Sequence, residues 1–307
     1  MSPPRQAFAD AERRLFARYG LAYESGSPAL RDPPVSIGLR ECGTGEPVVF
    51  VHGSGMSGAT WAPVLAHLPD QRSIAIDLPG FGLSDPYSYA GRTLRAHAVA
   101  QLESVLDALD LRRAAFVGTS LGAMWALYLA LEAPERVRSV VAIGMPAGAL
   151  PGVRGDPFFT LMTIPGVGRV ASRIIPAPKS VKAARRGMKG VLGQAALDRT
   201  PDEYFEVVVA GMGMPGWKEA MWTHLNLVLR FGRGRPENVL TDAELRGITV
   251  PVQFIWGEDD VYGGPDIGRR ATALIPDAQL DVMPGNHAPL LDDPQRCAAL
   301  IRQTVSR

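Results

Sequence analysis

Short runs of consecutive apolar residues punctuate this chain and set its organisation. Val48-Val49-Phe50-Val51 has no polar position at all, the pattern of a strand buried on both faces. Ser73–Ile76, Ala114–Val117, Ser139–Ile143, Val252–Trp256 and Gln279–Met283 are further strand candidates of this kind. Val35–Arg40 alternates weakly and reads as one more strand. Between them, Trp61–Leu68, Leu94–Leu109, Leu121–Leu131, Ile267–Leu274 and Pro294–Val305 carry apolar residues at helical spacing. Strands alternating with helices of this length build βαβ units. The pattern therefore predicts an α/β fold with a mostly parallel central sheet flanked by helices.

Two segments depart from that alternation. Phe8, Ala11, Leu15, Phe16 and Tyr19 share one helical face, and Gly20 ends the run. Residues 1–34 are thus expected to form an N-terminal helical extension. From about Met145 to Leu240 the strands stop, and Gly, Pro and Met become frequent. The alternation resumes at Thr241-Asp242-Ala243-Glu244, a capping-box pattern that opens a short helix. The expected division is a core of residues 35–145 and 241–307 with a helical cap, 146–240, inserted into it.

Composition changes this picture little. The chain has 307 residues, a formal net charge of +1, 46% hydrophobic and 21% charged residues, so no global field favours nucleic acid. Cys42 and Cys297 are too few and too far apart for a disulfide framework. No apolar run follows Met1-Ser2-Pro3-Pro4-Arg5, and none approaches the ~18 residues of a membrane span. A cytoplasmic protein is expected, with monomer and homodimer both open. No His-Glu-x-x-His or Cys-x-x-Cys pattern occurs, so no metal site is expected. Local charge is less ordinary. From Pro157 through Leu197 there is no Asp or Glu, yet Arg169, Arg173, Lys179, Lys182, Arg185, Arg186 and Lys189 are present. Such a one-sign stretch attracts an anionic substrate or an acidic membrane surface, unless it is simply a solvated helix face.

The chemistry lies just past the strands, where a parallel sheet presents reactive groups. Gly118-Thr119-Ser120-Leu121-Gly122 follows the strand at 114–117 and opens a helical run. That is the context of a nucleophile elbow, a sharp turn that lifts a serine hydroxyl clear of the backbone. Gly118 and Gly122 suit the crowding because they lack a Cβ. The backbone N–H of Leu121, at the start of the helix, is one candidate oxyanion donor. Gly257-Glu258-Asp259-Asp260 follows the strand at 252–256, and Pro284-Gly285-Asn286-His287 follows the one at 279–283. A serine, an acid and a histidine therefore occur in the order Ser, Asp, His, with three acids competing for the middle role.

The pieces His52-Gly53-Ser54-Gly55, Asp77-Leu78-Pro79-Gly80-Phe81-Gly82-Leu83-Ser84-Asp85, Gly118-Thr119-Ser120-Leu121-Gly122, Trp256-Gly257-Glu258-Asp259-Asp260 and Gly285-Asn286-His287-Ala288-Pro289 together resemble the α/β-hydrolase fold family. The resemblance implies a cap after the sixth strand. It implies that Ser120 attacks an acyl carbonyl, that His287 is the general base, and that Asp260, three residues after Gly257, is the acid. It makes the backbone of Ser54 the second oxyanion donor. His52 would hold that loop in place, and Gly53 and Gly55 would let it approach closely. The implied enzyme is a serine hydrolase cleaving an ester, lactone or related small acyl substrate through an acyl-serine, with no cofactor.

Trp61, Met124, Trp125, Trp217, Trp222 and His224 are the candidates for the pocket lining, since Trp and Met fill irregular apolar cavities. Within the family, the carbon–carbon hydrolase branch, which cleaves vinylogous diketones, is the alternative. His52-Gly53-Ser54-Gly55 and Gly58-Ala59-Thr60-Trp61 look like its early loop. That branch usually has Asn before the nucleophile and Trp after the histidine, where this chain has Thr119 and Ala288. A ligand-sensing receptor on the same fold is a further alternative. A rival from another class is a dinucleotide-binding oxidoreductase, because Gly53-Ser54-Gly55-Met56-Ser57-Gly58 matches Gly-x-Gly-x-x-Gly and Asp77 ends the next strand. That reading leaves Ser120, Asp260 and His287 unexplained.

Overall fold

The computed structural model describes residues 2–89, 91–174 and 176–307; the side chain of Arg173, one of the basic residues noted above, lies outside the described part. In chain order the strands are β1 Glu24–Gly26, β2 Leu39–Cys42, β3 Pro47–Val51, β4 Arg72–Ile76, β5 Ala114–Thr119, β6 Val137–Ile143, β7 Leu229–Arg230, β8 Arg233–Gly234, β9 Val252–Gly257 and β10 Ala278–Met283. The first helices are α1 Pro3–Arg18, α2 Ala62–Leu65, α3 Leu94–Ala108 and α4 Leu121–Glu132. Between β6 and β9 come α5 Pro157–Met162, α6 Val167–Ile174, α7 Val181–Arg199, α8 Asp202–Met212, α9 Trp217–Val228 and α10 Asp242–Gly247. The last are α11 Pro265–Leu274, α12 Pro289–Asp292 and α13 Pro294–Val305.

Eight strands form one sheet in the order β1-β2-β4-β3-β5-β6-β9-β10. From β4 to β10 all neighbours are parallel, and β1 and β2 add an antiparallel edge. The wholly apolar runs have a direct cause. Val49, Val51, Ile74, Ile76, Phe116 and Val140 enter one core layer, while Val48, Phe50, Ala75, Ala115, Val117 and Val141 enter the other. Successive side chains alternate faces, and both faces are covered.

Several elements differ from expectation. β2 lies some four residues later than the Val35–Arg40 run. The expected helix at 61–68 is a 3-10 turn, Gly58–Trp61, followed by the single turn α2. The N-terminal extension is not purely helical, because Glu24-Ser25-Gly26 pairs antiparallel with β2. α1 packs on α8, and Arg14 pairs with Glu206 at 2.8 Å. The capping box is present, with Glu244 N–H donating to Thr241 Oγ1 and Thr241 N–H donating to the Glu244 carboxylate. Among the described residues no helix is long and apolar enough to cross a membrane.

Candidate active site

Ser120 stands between β5 and α4 with φ 51° and ψ −110°. This is a conformation that L-residues rarely adopt. Its N–H donates to the Ile143 carbonyl at 3.2 Å, which pins the turn to the end of β6. The turn is tight enough to exclude side chains on both sides. A Cβ on Gly118 would run into the backbone of Gly122 and Ala123, and one on Gly122 into the Val51 carbonyl. Leu121 opens α4, so its N–H belongs to the first turn, whose donors have no intrahelical carbonyl.

Asp260 and His287 meet across the ends of β9 and β10. His287 Nδ1 lies 2.8 Å from Asp260 Oδ2 and 3.0 Å from Oδ1. Donation from Nδ1–H to the carboxylate leaves Nε2 as the basic nitrogen. The competing acids Glu258 and Asp259 are exposed, while Asp260 is buried. Burial alone raises the Asp260 carboxyl. The His287 charge and hydrogen bonds, with N–H donation from Met145 and Tyr262, outweigh it and hold the carboxyl below its usual range. A carboxylate that accepts from three directions stays ionised and fixed.

Three supporting residues, and a second role for Trp217 beyond the pocket lining, escaped sequence reasoning. Met145, just past β6, donates its N–H to Asp260 Oδ2 at 2.8 Å. Tyr262 sits edge-on to the His287 ring, centroids 4.5 Å apart. Asn286 Oδ1 accepts from the N–H of Val261 and of His287, joining the two loops. Trp217 Nε1 donates to the Gly55 carbonyl at 3.0 Å. Tyr262 and Asn286 lie within two residues of the expected acid and base, which is a usable signal. Met145 and Trp217 depend on strand order and helix docking, which no local pattern carries.

The loop after β3 is held from below. His52 is fully buried; its Nε2 accepts from Leu78 N–H at 2.9 Å, and its Nδ1 lies 2.7 Å from the Gly53 carbonyl. Burial pushes the His52 pKa down to about 4, so the ring is neutral and acts as a strut. A Cβ on Gly53 would stand 3.4 Å from Ser120 Cβ, and Gly55 has φ +79° with Trp217 and Met221 against it. Asp77 is also buried. It pairs with Arg40 at 2.6 Å and accepts from Gly58 and Leu83 N–H groups at 2.7 Å. Fully buried with both oxygens bonded, it offers no accessible oxygen to a ribose, which counts against the dinucleotide reading of this loop.

Ser120, His287, Ser54, Gly53 and Gly55 all border one cavity of about 1020 Å³. Of the proposed lining residues, Trp61, Trp217 and Trp222 border it as well. Met124, Trp125 and His224 do not, and their expected pocket role is corrected. α4 is apolar on every side and enclosed, so Met124 and Trp125, a turn in from Ser120, point into the core with no exposure. On α9, Trp217, Met221, Trp222 and Leu225 face the cavity. Helical periodicity turns His224 the other way, against Phe81 and Tyr89, with ring centroids 5.2 and 4.7 Å away. Lys179 and Arg186, from the acid-free stretch, stand exposed on the rim.

Residues 48–300 match the model of the alpha/beta hydrolase family. A 2-hydroxy-6-oxononadienedioate/2-hydroxy-6-oxononatrienedioate hydrolase of Cupriavidus pinatubonensis is 30% identical over 261 residues, 82% of this chain and 83% of that protein. Carboxylesterase CesB of Bacillus subtilis is similar in structure, with a TM-score of 0.76 at 22% identity over 99% of this chain and 98% of that one. The meta-cleavage product hydrolase CumD of Pseudomonas fluorescens gives a TM-score of 0.73 at 22% identity, over 92% and 97% of the two chains. At this identity the structural likeness bears on the fold.

Proposed function

The chain belongs to the alpha/beta hydrolase family, and from that premise we propose that it is a serine hydrolase cleaving an ester, lactone or related acyl bond. The observation that carries the reading is His287 bonded to the buried Asp260 carboxylate on the same cavity as the strained Ser120. Ser120 Oγ attacks the acyl carbonyl while His287 Nε2 takes its proton. The N–H groups of Leu121 and Ser54 hold the oxyanion, each contributing about 10²–10³ in rate. Collapse expels the leaving group, which collects the proton from His287. Water activated by His287 then releases the acid and restores Ser120.

Residues 146–240 act as the lid in this reading. Met188, Met221, Trp217 and Trp222 supply an apolar wall for the acyl arm, and Lys179 and Arg186 on the rim favour an anionic group at its far end. The test is labelling by a fluorophosphonate and turnover of p-nitrophenyl esters of graded length. Both are expected in the native protein and neither in Ser120→Ala. A folded native protein that does neither refutes the assignment.

A second reading is supported by the Cupriavidus relative. Carbon–carbon hydrolysis of a vinylogous diketone uses the same Ser120 and His287, with the proton delivered to carbon. Faster decay of a dienoate chromophore than of any ester, lost in Ser120→Ala, would select it. Thr119 and Ala288, at the positions where that branch usually carries Asn and Trp, favour the ester.

A further inference from the structure

The outer face of the inserted helices carries an apolar surface that the reaction does not use. On α6, Val167, Val170 and Ile174 are 46, 58 and 74% exposed, while Gly168 and Ala171 are turned inward. Their spacing of three and four residues aligns them on one side of the helix. Leu161 on α5 and Phe231 at the β7–β8 hairpin tip continue the surface, 39 and 53% exposed. The hairpin is tied to the end of α5, because Phe231 and Gly232 donate their N–H groups to the carbonyl and hydroxyl of Thr163. Aliphatic and aromatic side chains gathered in this way are rare on a soluble surface without a partner.

Basic groups dominate the charge around the surface, although the exposed Glu237 carboxylate, paired with Arg235, also lies within reach of Arg230. Arg230 and Arg233 flank Phe231 and are exposed, and the Arg230 guanidinium lies 5.5 Å from the Phe231 ring centroid. Lys182, Arg186 and Lys189 form an exposed stripe on α7 at helical spacing. No acid occurs between Pro157 and Leu197. The two features meet at the cavity: Phe158, 45% exposed on α5, and Lys179 and Arg186 border the same rim.

We propose that this face docks on the surface of an anionic phospholipid bilayer, with Val170, Ile174 and Phe231 entering the headgroup boundary and the basic collar facing the lipid phosphates. Apolar side chains ringed by Arg and Lys are what such a surface selects. A second copy of the chain is disfavoured by the same charges, because a two-fold contact would bring both basic collars together. The docked orientation sets the cavity rim at the membrane surface. Docking does not depend on the hydrolase reading, so it is measured on Ser120→Ala protein.

The experiment is flotation with vesicles of phosphatidylcholine alone or with about a third phosphatidylglycerol, at low and high salt. The Ser120→Ala protein is expected to float with the anionic vesicles at low salt, less at high salt, and not with phosphatidylcholine alone. Adding Arg230→Glu and Arg233→Glu is expected to weaken binding roughly 25-fold or more, about five-fold for each basic side chain lost. Adding Val170→Glu and Ile174→Glu instead is expected to weaken it at least roughly ten-fold. None of these four residues borders the cavity, and circular dichroism with the unfolding midpoint verifies the fold of each variant. Absence of flotation, equal binding to both vesicles, or unchanged binding by the folded variants overturns the proposal. A dimer in sedimentation that Val170→Glu/Ile174→Glu dissociates overturns it in favour of a second copy.

Discussion

His224 offers a direct measurement of what burial does to an ionisable group here. Its ring is fully buried against Phe81, Tyr89 and Trp125, and among the described residues neither ring nitrogen has a hydrogen-bond partner. Burial, with the nearby His52 and His97, pushes its pKa from 6.5 down to about 3. The folded pKa is depressed, so the folded state resists a proton that the unfolded chain accepts. Stability is complete above about pH 6.5 and is lost as pH falls toward 3. One pKa unit is 1.36 kcal/mol. At about pH 5, some 1.5 units below the unfolded value, His224 alone therefore costs about 2 kcal/mol. His224→Phe keeps the aromatic packing and removes that titration. Urea unfolding followed by tryptophan fluorescence, near neutral pH and near pH 5, gives the stability of both proteins. The gap between variant and native protein is expected to widen by about 2 kcal/mol on acidification. Titrating groups distant from His224 cancel in that double difference. At neutral pH the variant is expected to be as stable as the native protein or more so, since two buried polar atoms without partners disappear. A gap that stays constant between the two pH values refutes the argument.

Further outcomes follow from the site and its frame. Asp260→Asn is expected to lower kcat about 10⁴-fold by favouring the wrong tautomer of His287, whereas Asp259→Asn, at an exposed position, changes it less than about ten-fold; steady-state ester kinetics on both variants decides. Ser120→Gly is expected to abolish turnover and yet raise stability by about 1 kcal/mol, because glycine relieves a backbone strain of about 1–3 kcal/mol; chemical unfolding measures it. Arg40→Met leaves the Glu12 and Asp77 carboxylates buried without their cation and is expected to cost about 3–5 kcal/mol. Part of that loss should return as pH falls and Glu12, whose carboxyl burial already raises, protonates, visible as a smaller gap in unfolding midpoint from the native protein at acid pH.

What could be read from the chain and what could not divides along physical lines. β3 is apolar on every position, and β4 to β6 and β9 are apolar over most of their length, because helices cover both faces of the sheet, so their runs announce themselves. Glu24-Ser25-Gly26 is an edge strand with polar and half-exposed positions, and no periodicity marks it. Ser120, Asp260 and His287 follow strand ends, so their sequence positions translate directly into neighbouring loops. The cavity wall obeys no such rule. Met124 and Trp125 are as apolar as Met221 and Trp222, and only the enclosure of α4 and the rotation of α9 separate core from lining. His224 lies two residues from Trp222, yet the helix turns it onto the opposite face.

The loop of residues 52–58 is where these two kinds of information join. From the core side it is gripped by His52, whose ring bridges Leu78 and Gly53, and by Asp77, which accepts from Gly58. Asp77 is bonded through Arg40 to Glu12 of α1, so the N-terminal helix is part of the same buried ionic chain. From the other side Trp217 of α9 donates to the Gly55 carbonyl, and Met221 packs where a Gly55 side chain would have to stand. The segment that lines the cavity and the loop beside Ser120 therefore share a hydrogen bond and a van der Waals seam. A substitution in α9 that reshapes the cavity at Trp222 leaves that seam intact, whereas one at Trp217 moves the loop as well. On the proposed function, selectivity is expected to drift along one face of α9 while Trp217 keeps the loop beside Ser120 in register.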